Sequence, residues 1–171
     1  MPVIIVLILN QIEMKKIIVM VVIFATAFLQ QTFAQDTSAP KTSELLTSYY
    51  NIKDALVSGD GNRAAINAEQ FAKTINSISP EIIHESIKEP LLKDAGKISA
   101  TKDLKKKRDY FSTFSANMYA LAKTVKLNTE PVYYQYCPMK KATWLSNNKV
   151  IKNPYFGSAM PSCGKTTETI Q

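Results

Sequence analysis

The sequence predicts a mainly α-helical protein, an antiparallel four-helix up-down bundle with an irregular, partly β C-terminal cap. Two observations carry this. From residue 42 to residue 127 apolar side chains recur at steps of three and four, in four stretches parted by short turn signals. Beyond Leu127 that period is lost, and Pro, Gly, Asn, Tyr and Lys take over. Four amphipathic helices with short connections bury their apolar stripes most simply as antiparallel neighbours.

The chain has 171 residues and a formal charge of +7. Its start reads as a targeting segment, with residues 1–34 predicted to be a signal peptide. Met14-Lys15-Lys16 is a short cationic region, and Ile17 to Leu29 is an unbroken apolar run of 13 residues. Thr32-Phe33-Ala34 supplies small residues at −3 and −1, so cleavage is expected before Gln35. Thirteen apolar residues fall short of the roughly 20 that span a bilayer, so no permanent membrane anchor is expected. The apolar stretch before Met14 is not needed by such a signal, and Met14 is the expected true start. Export places the protein in the periplasm or outside the cell, away from nucleic acid, so its basic balance is read as solubility or attraction to an anionic surface.

Residues 35–41 (QDTSAPK) read as a flexible leader. The first helix, from about Thr42 to Val57, carries Leu45, Tyr49, Ile52 and Leu56, and Gly59-Asp60-Gly61 ends it. The second, from Asn62 to Ile78, carries Ala64, Ala68, Phe71, Ile75 and Ile78, with Asp60 available as a cap. Ser79-Pro80-Glu81 is a helix-start signal for the third, which runs to about Ala100 with Ile83, Ile87, Leu91, Ala95 and Ile98. Pro90 predicts a kink or short break inside it. The fourth, from Lys102 to Lys126, has Leu104, Phe111, Phe114, Met118, Leu121 and Val125. Lys105, Lys106, Lys107 and Arg108 near its start are expected on a solvated face.

Residues 128–171 form the cap, rich in Cys, Met and aromatic side chains. Val132 to Tyr136 and Ala142 to Leu145 have strand-like composition, and Asn153-Pro154-Tyr155-Phe156-Gly157 is a turn signal. The sharpest chemical feature lies here. Cys137-Pro138-Met139 and Met160-Pro161-Ser162-Cys163 each set a thiol and a thioether on a short, proline-stiffened loop. If the loops meet, Cys137, Met139, Met160 and Cys163 present four soft donors, a set that selects Cu(I) or Ag(I) over hard ions. The same cysteines could instead form a disulfide, which an oxidising compartment favours. Closing that loop would stabilise the fold by roughly 3–4 kcal/mol in the chain-entropy model. The residues alone leave both alternatives open.

The remaining motifs point to ordinary roles. His84 is the only histidine, with no Asp or Cys near it in sequence to make a nucleophile–base pair. Ala159 to Thr166 resembles a phosphate loop only superficially, because its first glycine is replaced and no helix can follow. Paired carboxylates for acid–base work do not appear, so the protein is not expected to be an enzyme.

Tyr136-Cys137-Pro138-Met139, Trp144-Leu145-Ser146, Ile151 to Gly157 and Met160 to Gly164 resemble, in that order, motifs of an exported domain family of unknown function. Arg108 to Ser115 is similar to that family's last long helix. The family occurs alone or fused to the C-terminus of periplasmic adaptor subunits of copper/silver efflux pumps. The resemblance implies a helical envelope domain that binds or handles a soft metal, expected to be copper, with Cys137, Met139, Met160 and Cys163 as its metal site. It also implies a heavy-metal efflux adaptor or another envelope protein as partner. The alternative is a non-catalytic structural or protein-interaction domain with a Cys137–Cys163 disulfide, its aromatic residues Tyr133, Tyr134, Trp144, Tyr155 and Phe156 offering a surface.

Overall fold

A computed structural model describes residues 38–171, with side chains from residue 41. The expected signal peptide, the Met14 start and the first residues of the leader lie outside the described residues. Four helices come first: α1 (Ser38–Ser58), α2 (Gly61–Asn76), α3 (Glu85–Ala100) and α4 (Leu104–Thr124). A small antiparallel sheet follows, made of β1 (Val132–Cys137), β2 (Ala142–Ser146) and β3 (Lys165–Ile170), with one 3-10 turn at Gly157–Ala159 before the last strand.

Each helix packs on the next in sequence order, α1 on α2, α2 on α3 and α3 on α4. The predicted stripes face inward: Leu45, Tyr49, Ile52, Leu56, Phe71, Ile75, Leu91, Ile98, Phe111, Phe114 and Met118 are all fully buried. Phe114 is the centre of an aromatic group, with Phe71 edge-on at 4.8 Å and Tyr49 at 5.7 Å between ring centroids.

Helix α1 begins at Ser38 and so takes in part of the expected leader. Pro40 falls in its first turn, where a missing N–H costs nothing. At the other end Gly59 adopts φ 78° and lets the Asp60 N–H return to the Ala55 carbonyl at 2.9 Å. Asp60 then caps α2, its carboxylate accepting from the Arg63 N–H at 2.9 Å.

Three expectations need correction. The Ser79 signal is used, since Ser79 accepts from the Ile82 and Ile83 N–H groups and its hydroxyl from that of Glu81, but it builds only one turn. At His84 the backbone extends (φ −58°, ψ 147°), and α3 starts at Glu85. Pro90 therefore lies early in the helix, and no break occurs there. The Lys105–Arg108 run is likewise divided. Lys105 and Lys106 are exposed, while Lys107 is buried and its ammonium donates to the Ile98 carbonyl near the end of α3. Arg108 donates to the Leu56 carbonyl near the end of α1 at 2.9 Å. Lys88 donates to the Ile78 carbonyl, two residues past the end of α2, at 2.6 Å. Carbonyls orphaned at helix C-termini carry partial negative charge, so cations from later in the chain are held there.

The sheet order is β2-β1-β3, with β1 paired antiparallel to both neighbours. β2 lies against α4. The join is polar as well as apolar: the buried Tyr49 hydroxyl contacts Ser115 Oγ at 2.6 Å and accepts from the Leu145 N–H at 3.0 Å. Burial pushes the Tyr49 phenol above its ordinary range, so it stays protonated and can serve both contacts.

Candidate metal centre

Cys137 is the last residue of β1 and pairs with Ala142 across a hairpin whose turn is Pro138 to Lys141. Pro138 fixes the first turn dihedral, and Lys141 at φ 54° supplies the left-handed residue that returns the chain to β2. This tight turn points the backbone N–H groups of Met139 and Lys140 back at the Cys137 sulfur.

Cys163 arrives from the other side. Its N–H closes a turn on the Met160 carbonyl at 3.3 Å, and β3 begins two residues later. The β1–β3 register sets Lys165 opposite Tyr136, which brings residue 163 alongside residue 137. Gly164 makes the approach possible. Its φ is +149°, and a Cβ there would meet the Trp144 ring at 2.8 Å and the Tyr136 carbonyl at 3.0 Å.

The two sulfurs stand 3.2 Å apart and are not joined. A disulfide would hold them at about 2.05 Å. Two thiolates on one tetrahedral ion, with metal–sulfur bonds of about 2.3 Å, would sit somewhat under 4 Å apart. The observed gap lies between these and fits a thiol donating to its neighbour. Burial pushes the Cys137 thiol up, but N–H donation from Lys140, the Cys163 thiol, the Asn153 amide and the Met139 N–H outweighs it, leaving Cys137 below the ordinary thiol value. Cys163 is raised, chiefly because its proton is held by Cys137, with burial and the Cys137 charge adding to the effect. The two shifts run in opposite directions, Cys137 toward the thiolate and Cys163 toward the thiol.

Of the four sulfur residues expected at the site, the structure brings the two thiols into contact. Cys137 is fully buried and Cys163 partly exposed. Met139 sits on the hairpin turn beside them with its side chain 67% exposed, and Met160 is half-buried in the opposite loop. Among the described residues no group of three or more His, Cys, Asp or Glu could hold a metal ion. His84 is exposed at the start of α3. The aromatic residues of the cap also differ from expectation: Trp144 and Tyr155 are buried, packed edge-on at 6.0 Å, and form part of the core rather than a surface.

Sequence reasoning missed two features. The sequence marks Asn153 only as a turn residue, yet it is fully buried and donates to the Cys163 carbonyl. β3 was not foreseen, although Thr167, Thr169 and Ile170 have the β-branched side chains of a strand.

A family model described as a protein of unknown function (DUF3347) matches residues 45–130, which is half of the chain. The chain belongs to this family. The DUF3347 match spans α1 from Leu45 through α4 and ends seven residues before Cys137, so the sulfur pair lies in a segment that the family description does not cover. No curated protein and no solved structure matches the chain.

Proposed function

We propose that this protein is a periplasmic module that binds a soft monovalent metal ion, Cu(I) or Ag(I), and passes it as cargo to a heavy-metal efflux partner. The observation that supports the reading is the convergence of two unjoined thiols at 3.2 Å, with hydrogen-bond donors arranged to favour the thiolate on Cys137. Thiolate and thioether donors prefer soft ions. Cys137 would be the anchoring ligand, and Cys163 the second, giving up its proton on binding. Met139 and Met160 would complete the site as neutral thioethers. The order of exposure, from buried Cys137 through Cys163 to exposed Met139, provides a route by which cargo is exchanged at the surface without opening the core.

In this reading the four helices form an antiparallel up-down bundle that supports the cap, the signal peptide directs export, and the partner is an efflux adaptor or another envelope protein. The protein acts as a carrier and not as an enzyme. No helix among the described residues is long and apolar enough to cross a membrane.

An anaerobic titration of reduced protein with Cu(I), in competition with a chromophoric chelator, tests the proposal. One tightly held ion per chain is expected, lost in the Cys137→Ser, Cys163→Ser double variant. Undiminished affinity in that variant overturns it. The second reading, a structural domain stapled by a disulfide, draws on the same short separation. Complete oxidation of the cysteines in protein taken from the envelope, with no metal uptake after mild reduction, would favour it.

A further inference from the structure

We propose that Asn153 is the positioning residue of the sulfur pair, a buried latch that holds the Cys163 loop against Cys137. The inference deepens the soft-metal reading and takes its functional meaning from it. Every polar group of Asn153 has a task. Its amide Nδ2 donates to the Cys163 carbonyl at 2.7 Å, and its backbone N–H donates to the Pro161 carbonyl at 2.9 Å. These two bonds grip the Met160–Cys163 loop at two points. One residue therefore holds the loop whose thiol meets Cys137 at 3.2 Å.

The latch is itself anchored. Asn153 Oδ1 accepts from the N–H groups of Tyr155 at 2.8 Å and Phe156 at 3.3 Å, and its carbonyl accepts from the Gly157 N–H at 3.0 Å. This ties Asn153 to a turn fixed on the helices. Tyr155 packs on Phe111 with ring centroids 5.9 Å apart. Gly157, at φ +53°, lies so close to α1 and α4 that a Cβ would meet the Arg108 guanidinium at 2.5 Å and the Val57 carbonyl at 2.9 Å. The helices thus position the turn, the turn positions Asn153, and Asn153 positions Cys163. A loop tethered in this way keeps the effective concentration of one thiol at the other high, which is what bidentate capture of one ion requires.

The test separates the donor from the turn. Asn153→Asp keeps the Oδ1 acceptor for Tyr155 and Phe156 but removes the N–H donor. Asn153→Ser also keeps an acceptor, avoids a buried charge and cannot reach Cys163. Tyr155→Phe loosens the same segment by removing a phenol hydrogen bond to the Thr143 carbonyl, and leaves the bonds that grip the Cys163 loop in place. The probe is phenylarsine oxide, which reacts with two converging thiols to form two As–S bonds with loss of one water. Wild-type full chain is expected to take up one equivalent that a monothiol does not displace. Each Asn153 variant is expected to bind it at least about tenfold more weakly, and Tyr155→Phe within about twofold of wild type. Helical circular dichroism and Trp144 fluorescence check that each variant is folded, and Asn153→Ser decides the matter if Asn153→Asp is not. Wild-type capture by the folded Asn153→Ser variant overturns the latch, as does an equal loss in Tyr155→Phe. Because this readout needs no copper, wild-type protein that captures the arsenical but ignores Cu(I) supports the latch and sinks the metal reading.

Discussion

The helical region and the cap are held together by different kinds of interaction. In the helices, many interchangeable apolar side chains share one core: Tyr49, Phe111 and Phe114 touch one another, and Phe71 packs on Phe114. In the cap, single polar groups without substitutes carry the arrangement: the Asn153 amide, the Tyr49 and Tyr155 hydroxyls, and the close approach at Gly164. The difference teaches where stability ends and chemistry begins. Burial of apolar area is non-directional and tolerant, so it makes a platform. Holding two sulfurs 3.2 Å apart is directional and intolerant, and needs hydrogen bonds of fixed length.

The largest effect should come from the platform. Phe114→Ala removes a fully buried ring from the aromatic centre and is expected to lower stability by about 3–5 kcal/mol in chemical denaturation. Helical circular dichroism and Trp144 fluorescence, which reports on the cap through the chain's only tryptophan, should fall together. If the cap signal survives loss of the helices, the cap does not depend on them.

A smaller effect is expected at the join. Tyr49→Phe keeps the ring but leaves the buried Leu145 N–H without its acceptor, at a cost of about 1–3 kcal/mol. The cap should then melt ahead of the helices, splitting the two signals. Coincident transitions at wild-type stability would show that the hydroxyl does not link the regions.

The smallest effect lies at the edge strand. Lys123, at 2.6 Å, and then Tyr119, at 2.7 Å, hold the Glu168 carboxyl below its ordinary value. A depressed carboxyl stabilises the fold above its unfolded pKa, and that contribution disappears as pH falls through the lower folded value. Amide NMR signals of β3 should therefore shift on acidification from about pH 5 to about pH 2. Glu168→Gln should remove this shift and leave α1 to α3 unchanged. An identical acid response in the variant would contradict the assignment.

The same contrast explains what could be read in the sequence. The inward stripes of all four helices were legible, because a 3.6-residue period is local and repeats. So was the Asp60 cap, whose partner lies three residues away. Lys107 and Arg108 were not, because a charge run looks solvated until tertiary structure brings a helix C-terminus to it. The α3 start was misplaced because Ser79-Pro80 closes a single turn with the same capping bonds that open a helix. In the cap, the sulfur residues declared themselves by type and spacing. Asn153 could not, since its partners lie up to ten residues away and an Asn-Pro pair is ordinary turn chemistry.

The most direct test of the central claim is X-ray absorption at the copper edge of reduced protein carrying one equivalent of Cu(I). The account predicts sulfur nearest neighbours only, at least two of them, with the sulfur signal lost in the Cys137→Ser, Cys163→Ser double variant. Nitrogen or oxygen neighbours, or an unchanged spectrum in that variant, would contradict it.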